Sequence, residues 1–313
     1  MYINSLKKLS IWAIVWRSVL TMIGVEIANA FLLIAMQENY PEVFGLMVNL
    51  FLYFLIYKII LRQLSKQNVF TTGITGEGPP EKKQLLPVAG LTILVAICGS
   101  LFIYFALRIF LSFTDFYTFF ISYMGLNPNE LIVETPSFLY LLPLTVIAAP
   151  IVEEVFFRGV LMNKWSEKYG VWKGILFSSI IFMIIHFNSL FFPQLILGFL
   201  CAVVYTKTKK LIYPILTHAL YNLIVIIPTL FTSDTASLEE LYIIANPTAE
   251  FIQELTLYSI VFVIVLAVTI LFIKKYGKGL KAEATPYLTN IPSEFLEHEP
   301  VQNVDDIENF EDF

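Results

Sequence analysis

Residues 149–159 read Ala-Pro-Ile-Val-Glu-Glu-Val-Phe-Phe-Arg-Gly, an apolar stretch that carries three ionisable side chains. Glu153 and Glu154 are adjacent, and Arg158 follows one helical turn after Glu154. Ionisable groups at membrane depth are costly, and those that occur usually face the interior of a helix bundle or a water-filled cavity. We therefore interpret this stretch as a membrane span that contributes to a functional site.

The composition places the chain among integral membrane proteins. Of its 313 residues, 57% are hydrophobic and only 14% are charged, whereas a soluble domain carries about 25% charged residues. Outside short loops the sequence has no basic face, which excludes nucleic acid as a partner. The two cysteines, Cys98 and Cys201, lie in apolar segments and show neither disulfide nor metal-binding spacing.

Eight apolar stretches are long enough to cross about 30 Å of hydrocarbon. They predict an all-α fold, a polytopic transmembrane helical bundle of about eight spans. The predicted limits are 11–36, 43–61, 88–112, 138–162, 172–188, 190–206, 212–231 and 252–273. The fifth and sixth spans are separated by so few residues that they must form a tight hairpin.

The basic residues predict the orientation of these spans. With the N-terminus in the cytoplasm, sixteen of the twenty Lys and Arg residues fall in inner segments, and the other four lie within spans. Because Lys and Arg accumulate in cytoplasmic loops, both termini are predicted to be cytoplasmic. We expect a protein of the bacterial cytoplasmic membrane.

Two segments outside the spans are predicted to be flexible. Residues 282–313 contain nine acidic residues and no Lys or Arg, a composition typical of a disordered tail. Residues 62–86 are rich in Gly, Thr and Pro and are interpreted as a flexible cytoplasmic linker. The predicted organisation is therefore N-terminal spans and linker at 1–137, a core at 138–231, an outer loop and last span at 232–274, and an acidic tail at 275–313.

The polar residues within the spans form a pattern. Glu154 and Arg158 are four apart, so they share a helix face and can form an ion pair, while Glu153 is rotated by about 100° and left available. Two other spans each carry a histidine, His186 and His218. The alternative interpretation is structural, with an intramembrane ion pair and histidines that make interhelical hydrogen bonds.

If these helix faces converge, the residue types suit hydrolysis. A carboxylate can take a proton from water, and an imidazole can hold that water or bind a metal ion. His218 and Asn222, four apart in the seventh span, could donate hydrogen bonds to a developing oxyanion. At 1.5 Å per residue, Glu153, His218 and His186 lie about 14, 9 and 21 Å from the inner ends of their predicted spans. Convergence therefore requires helix offsets or tilts.

Three motifs occur in order along the chain, Glu153-Glu154-x-x-x-Arg158, Phe182-x-x-x-His186 and His218-x-x-x-Asn222. They resemble those of the CPBP family, which joins type II CAAX-prenyl endopeptidases with bacterial Abi proteins and is described as a family of intramembrane metalloproteases. The resemblance covers a core at about 138–231 and leaves the first spans and the acidic tail outside.

The resemblance implies a catalytic chamber open toward the cytoplasm, in which a peptide bond is hydrolysed. It assigns water activation to Glu153 with His186, and oxyanion stabilisation to His218 and Asn222. Peptide bonds resist hydrolysis, and each of these contributions is typically worth about two or more orders of magnitude.

The resemblance further implies that Glu154 and Arg158 support the geometry of the site. The metal requirement stays open at this point. Zn²⁺ could be held by Glu153, His186 and His218 with a fourth position for water. Equally, a glutamate–histidine pair could activate water unaided, and the sequence has no His-Glu-x-x-His motif of the zincin type.

The leading hypothesis is an intramembrane endopeptidase that cleaves a membrane-associated peptide or protein. Prenylated CAAX proteins are the substrates of eukaryotic relatives; in a bacterium, signal-peptide remnants or peptide leaders would be the analogous cargo. A second hypothesis is a non-catalytic membrane scaffold of the same fold that regulates a partner protein. A third is a proton-coupled transporter in which the glutamate and histidines form a relay, although no paired broken helices occur in matching halves.

Overall fold

The computed structural model describes residues 6–35, 42–112, 141–186, 191–227, 248–280 and 283–292. All regular elements within these ranges are helical. We label them α1 (Ile11–Ala35), α2 (Glu42–Lys66), α3 (Thr71–Thr75), α4 (Lys82–Phe110), α5 (142–169), α6 (Val171–Ile185), α7 (Phe192–Thr208), α8 (Ile212–Ile226), α9 (Ala249–Tyr276) and α10 (Pro286–Asn290).

Eight of these helices correspond one to one with the eight predicted spans. The helices α1, α2, α4 and α9 are long and apolar enough to cross a membrane, and α6, α7 and α8 are shorter apolar helices. The prediction of an all-helical membrane bundle is confirmed. The hairpin predicted between the fifth and sixth spans lies at residues 187–190, outside the described residues.

The helix α5 carries the paired glutamates and is not a regular α-helix. It consists of four continuous segments, Leu142–Ala148, Ala149–Glu154, Val155–Met162 and Asn163–Tyr169, of which the first and third have i→i+5 hydrogen bonding. Pro150 lacks an N–H group at the start of the second segment, so the hydrogen-bond ladder must change there. Such wide turns are frequent at functional sites. The helix also continues to residue 169. The predicted limit of 162 was too short because it was set by apolar length, and the last turns, Asn163–Tyr169, are polar.

The core of the bundle surrounds α7. Residues 200–206 of this helix are all fully buried, as are Leu197 and Gly198, and α7 packs against α4, α6 and α8. By contrast, α1 packs mainly on α2 and exposes most of its apolar surface. A helix that is apolar on every side belongs in the middle of a bundle, and α7 therefore supports α5, α6 and α8, the helices that carry the three motifs.

The inner segments that the basic residues predicted meet at one end of the bundle. Leu6 N donates to Glu167 Oε2, Leu211 N donates to Thr75 O, and Lys207 Nζ donates to Lys278 O. These contacts link the N-terminus, the segment after α2, and the ends of α5, α7 and α9. We refer to this end of the molecule as the basic end.

The interpretation of residues 62–86 as a flexible linker is wrong. Within this segment α3 forms a helical turn in which Gly73 and Ile74 are buried, and Glu81 N donates to the hydroxyl of Tyr213 at 2.5 Å. The Gly and Pro residues of this segment mark turns between packed pieces rather than a free linker.

The prediction of a disordered tail does not hold for residues 283–292. This part of the tail folds back on the basic end, where Tyr287 on α10 is completely buried and Ile291, which follows α10, is almost completely buried. Glu283 forms ion pairs with Lys207 and Lys209, at 3.2 and 2.9 Å. The composition of the whole tail concealed a short apolar segment that can be buried. Residues 293–313 lie outside the described part of the chain.

Candidate active site

A buried network joins three of the predicted site residues. Glu154 Oε1 accepts hydrogen bonds from Arg158 Nη1 and from His218 Nδ1, both at 2.9 Å. The side chains of Glu154 and Arg158 are completely buried, and His218 is 3% exposed. Arg158 Nη2 donates to Gly198 O at 2.9 Å, which ties the network to α7. The predicted pairing of Glu154 with Arg158 is present, and the same carboxylate also orients His218.

The second glutamate faces the other histidine. Glu153 Oε2 lies 3.6 Å from His186 Nε2, and the two side chains are 16% and 26% exposed. This separation is longer than a direct hydrogen bond, and Glu153 Oε2 has no hydrogen-bond partner among the described residues. The oxygen can therefore accept a hydrogen bond from a water molecule held between the two side chains.

Each histidine is held through its Nδ1 atom, which fixes the tautomer. His186 Nδ1 lies 2.7 Å from Phe182 O, and His218 Nδ1 lies 2.9 Å from Glu154 Oε1. A carbonyl oxygen and an ion-paired carboxylate can only accept, so Nδ1 is the protonated atom in both rings. In the neutral form of each ring, Nε2 is then the basic nitrogen. Both histidines interact electrostatically with Glu153.

Phe182 links the two halves of the site. Its ring centroid lies 4.4 Å from that of His186 and 5.5 Å from that of His218. The guanidinium carbon of Arg158 lies 4.6 Å from the same ring centroid. Since the chain has 28 phenylalanines, the four-residue spacing from His186 alone carried little weight. The structure shows a fully buried ring on which both imidazoles and the arginine pack.

Asn222 lies on α8 one turn after His218, and its amide is anchored. Asn222 Nδ2 donates to Thr145 O at 2.7 Å, and Thr145 lies in the first wide turn of α5. The amide group has two N–H bonds, so one remains for another acceptor. The predicted oxyanion role of His218 and Asn222 therefore stays a prediction that this arrangement permits.

Zinc binding by Glu153, His186 and His218 stays a prediction. Among the described residues, no three His, Cys, Asp or Glu side chains are arranged to hold an ion. His186 and His218 each donate through Nδ1 to a carbonyl or carboxylate oxygen, a contact that metal-bound histidines usually make, and each keeps Nε2 as the basic nitrogen.

Tyr53 on α2 lies beside the site but was not among the predicted site residues. This half-buried tyrosine interacts electrostatically with the Glu153 carboxylate, and α2 packs against the part of α5 that carries the glutamates. Tyr53 is one of sixteen tyrosines and belongs to no motif. No local signal could have identified it, because the contact depends on how α2 lies against α5.

Residues 135–224 match the family model for Rce1-like type II CAAX prenyl endopeptidases. All three motifs and every predicted site residue fall inside this range. The segment belongs to the CPBP/CAAX-protease family. The family predicted from the motifs is thus confirmed for this segment. Tyr53 and α10 lie outside the matched range.

A curated relative supports the same family. The chain is 31% identical over 142 residues to a Bacillus subtilis (strain 168) protein named "Putative membrane peptidase YdiL". The match covers 44% of this chain and 57% of the relative, so the chain spans little more than half of that protein's length. No solved structure matches the chain.

Proposed function

We propose that the protein is an intramembrane endopeptidase that hydrolyses a peptide bond of a membrane-associated peptide or protein. The observation that carries this proposal is the Glu153–His186 pair at 3.6 Å, set beside the buried network of Glu154, Arg158 and His218. The CAAX-protease domain and the similarity to a membrane peptidase support the reaction class.

In the proposed reaction, Glu153 and His186 Nε2 hold a water molecule between them. The water oxygen attacks the carbonyl carbon of the substrate, and its proton passes to the Glu153 carboxylate. The tetrahedral intermediate then collapses with cleavage of the C–N bond, and the proton moves from Glu153 to the leaving nitrogen. General base catalysis of this kind contributes about 10²–10⁴-fold.

The developing oxyanion would be stabilised by the other half of the site. His218 donates through Nδ1 to Glu154, which Arg158 anchors, so the imidazole ring has a fixed orientation. When His218 is protonated, its Nε2 atom becomes a second donor, which can bind the oxyanion. Asn222 offers its remaining amide N–H. Loss of one oxyanion donor typically costs about 10²–10³-fold in kcat.

The test is cleavage of a quenched-fluorescent peptide library by the purified protein in detergent. We expect Glu153→Gln to lower cleavage at least about 100-fold. Glu26→Gln is the matched control, since Glu26 is an exposed glutamate on α1, away from the site, and should cleave like wild type. If the folded wild-type protein cleaved no peptide, or if Glu153→Gln retained activity, the proposal would be wrong and a scaffold role would be favoured.

The zinc hypothesis is tested in the same assay. A mechanism that uses only Glu153 and His186 predicts full activity after treatment with a zinc chelator. Loss of activity on chelation, with recovery on added Zn²⁺ and with zinc present in the purified protein, would show that these side chains rearrange around a metal ion.

A further inference from the structure

The folded part of the tail, residues 283–292, is built into the protein as a defined element. Thr285 caps α10 by accepting a hydrogen bond from Leu288 N at 3.2 Å, and Pro286 occupies the first helical position, where its missing N–H costs nothing. We call residues 283–292 the C-terminal clasp. Its local structure is therefore specified by its own sequence.

The clasp is held to the basic end by contacts along its whole length. Besides the ion pairs of Glu283, Asn290 Nδ2 donates to Gly73 O at 3.1 Å and to Lys209 O at 2.7 Å. The ring of Tyr287 lies directly on Gly73, where an added Cβ atom would be 2.8 Å from two ring carbons. Only glycine lets α3 approach the tyrosine this closely.

Asn163 connects the clasp to the active-site helix. This fully buried side chain accepts from Tyr287 N through Oδ1 at 3.1 Å. Its Nδ2 lies 3.1 Å from Arg158 O and 2.9 Å from Gly159 O, two carbonyls of the second wide turn of α5. One side chain therefore joins the backbone of the clasp to the turn that carries the active-site arginine.

A second set of contacts holds the same turn. Asn163 Nδ2 also lies 3.1 Å from the hydroxyl of Tyr205, which in turn donates to Ile74 O at 2.5 Å. Gly159 packs against Ile74, and a Cβ atom added to Gly159 would lie 2.6 Å from Ile74 Cγ2. The helices α3, α5 and α7 and the clasp thus converge on Asn163.

We propose that Asn163 and Tyr287 are positioning residues for the reaction, and that the clasp forms part of the catalytic unit. Through Asn163, the clasp fixes the wide turn of α5, and that turn sets where the Arg158 side chain meets Glu154 and His218. The proposal rests on the proposed endopeptidase function. It assigns a role to a segment that lies outside the residues matched by the family model.

Two truncations separate the clasp from the acidic residues that follow it. A chain ending at residue 282 lacks the clasp, and a chain ending at residue 292 keeps it. We expect the shorter chain to lose at least about tenfold in kcat with little change in KM, because small displacements of catalytic groups are costly. The chain ending at 292 should match the full-length protein. Equal kcat for both truncations and the full chain would overturn the proposal.

Rescue in trans distinguishes positioning from a general loss of stability. A synthetic peptide of residues 283–292, added to the chain ending at 282, should restore kcat, and the same peptide with Tyr287→Ala should not. If the shorter chain does not fold, Asn163→Ala in the full chain replaces it, with Glu26→Gln on α1 as the control. Asn163→Ala should lose at least about tenfold in kcat, and Glu26→Gln should stay within about twofold of wild type. Wild-type kcat in Asn163→Ala would refute the positioning role.

Hydrogen exchange tests the clasp independently of cleavage. Backbone amides of residues 155–162 should exchange faster in Asn163→Ala and in the chain ending at 282, and added peptide should slow them again in the latter. Unchanged exchange of these amides in both variants would refute the proposal that the clasp fixes the wide turn of α5, even if the enzyme were active. If the wild-type protein cleaved nothing while exchange responded as expected, the endopeptidase proposal would fail and the structural coupling would stand.

Discussion

Arg158 provides the sharpest test of the active-site network. Its guanidinium is completely buried and donates to Glu154 Oε1 and to Gly198 O, both at 2.9 Å. In Arg158→Met the apolar volume is largely retained, but the Glu154 carboxylate keeps only the hydrogen bond from His218 in a buried setting. Removing one partner of a buried ion pair typically costs about 3–5 kcal/mol.

This loss of stability should appear as a lower unfolding temperature of the purified protein. At about 2 °C or more per kcal/mol, Arg158→Met should lower the unfolding temperature by at least about 6 °C. Cys98 and Cys201 are both fully buried, so a thiol-reactive fluorogenic dye reports unfolding without added labels. Arg62→Met is the control, because Arg62 is exposed on α2, and its unfolding temperature should stay within about 2 °C of wild type.

The double variant Glu154→Gln/Arg158→Met tests the cause. Since it removes both charges, it should be more stable than the sum of the single effects predicts, by roughly 1–3 kcal/mol. Cleavage by Arg158→Met, measured below the unfolding transition, should also fall by at least about tenfold, because Arg158 no longer anchors the Glu154 carboxylate that orients His218. An unfolding temperature within about 2 °C of wild type for Arg158→Met, or strictly additive effects, would refute the charged network.

Three further predictions follow from single contacts. Tyr53→Phe removes a hydroxyl that interacts electrostatically with Glu153 and should lower kcat by about fivefold to tenfold with an unchanged unfolding temperature. Equal kcat would show that this interaction is dispensable. Partial burial of Glu283 opposes its ionisation, but hydrogen bonds and ion pairs with Lys207 and Lys209 outweigh this effect and hold the pKa of Glu283 below 4.5. The clasp should therefore be fully stabilised above pH 4.5 and should loosen as the pH falls through the lowered pKa. Hydrogen exchange of residues 283–292 measures this, and protection that persists to pH 2 would contradict it. Gly198→Ala would place a Cβ atom 3.2–3.4 Å from atoms of Phe182, Arg158 and Ser179 and should cost about 1–3 kcal/mol of stability and most of the activity. The control Gly24→Ala, inside α1 with nothing within 4 Å, should keep the activity and raise the stability by up to about 1 kcal/mol.

Local patterns in the sequence were sufficient for the class of protein and for part of the site. Apolar length predicted the eight helices, since crossing the bilayer requires about twenty apolar residues per helix. Helical spacing predicted that Glu154 and Arg158 would meet, because residues four apart lie on one face. Three short motifs were enough to identify the CAAX-protease family, as the match at residues 135–224 confirms.

The tertiary structure alone decided which side chains meet across helices. Helical periodicity defines the faces of one helix but not its offset or rotation against the next, so nothing local indicated that His218 would bind Glu154 while His186 lies beside Glu153. The same reason explains why Tyr53 was missed.

The clasp shows the limit of composition. Nine acidic residues dominate the tail as a whole and predict disorder, yet one buried tyrosine and one asparagine contact make residues 283–292 part of the fold. Membrane class, spans and the Glu154–Arg158 pair were determined by the sequence itself, because each depends on residues close together in the chain. The pairing of each histidine with its glutamate and the docking of the clasp on Asn163 were decided only by the tertiary structure. These contacts join residues that are 33 to 124 positions apart in the chain.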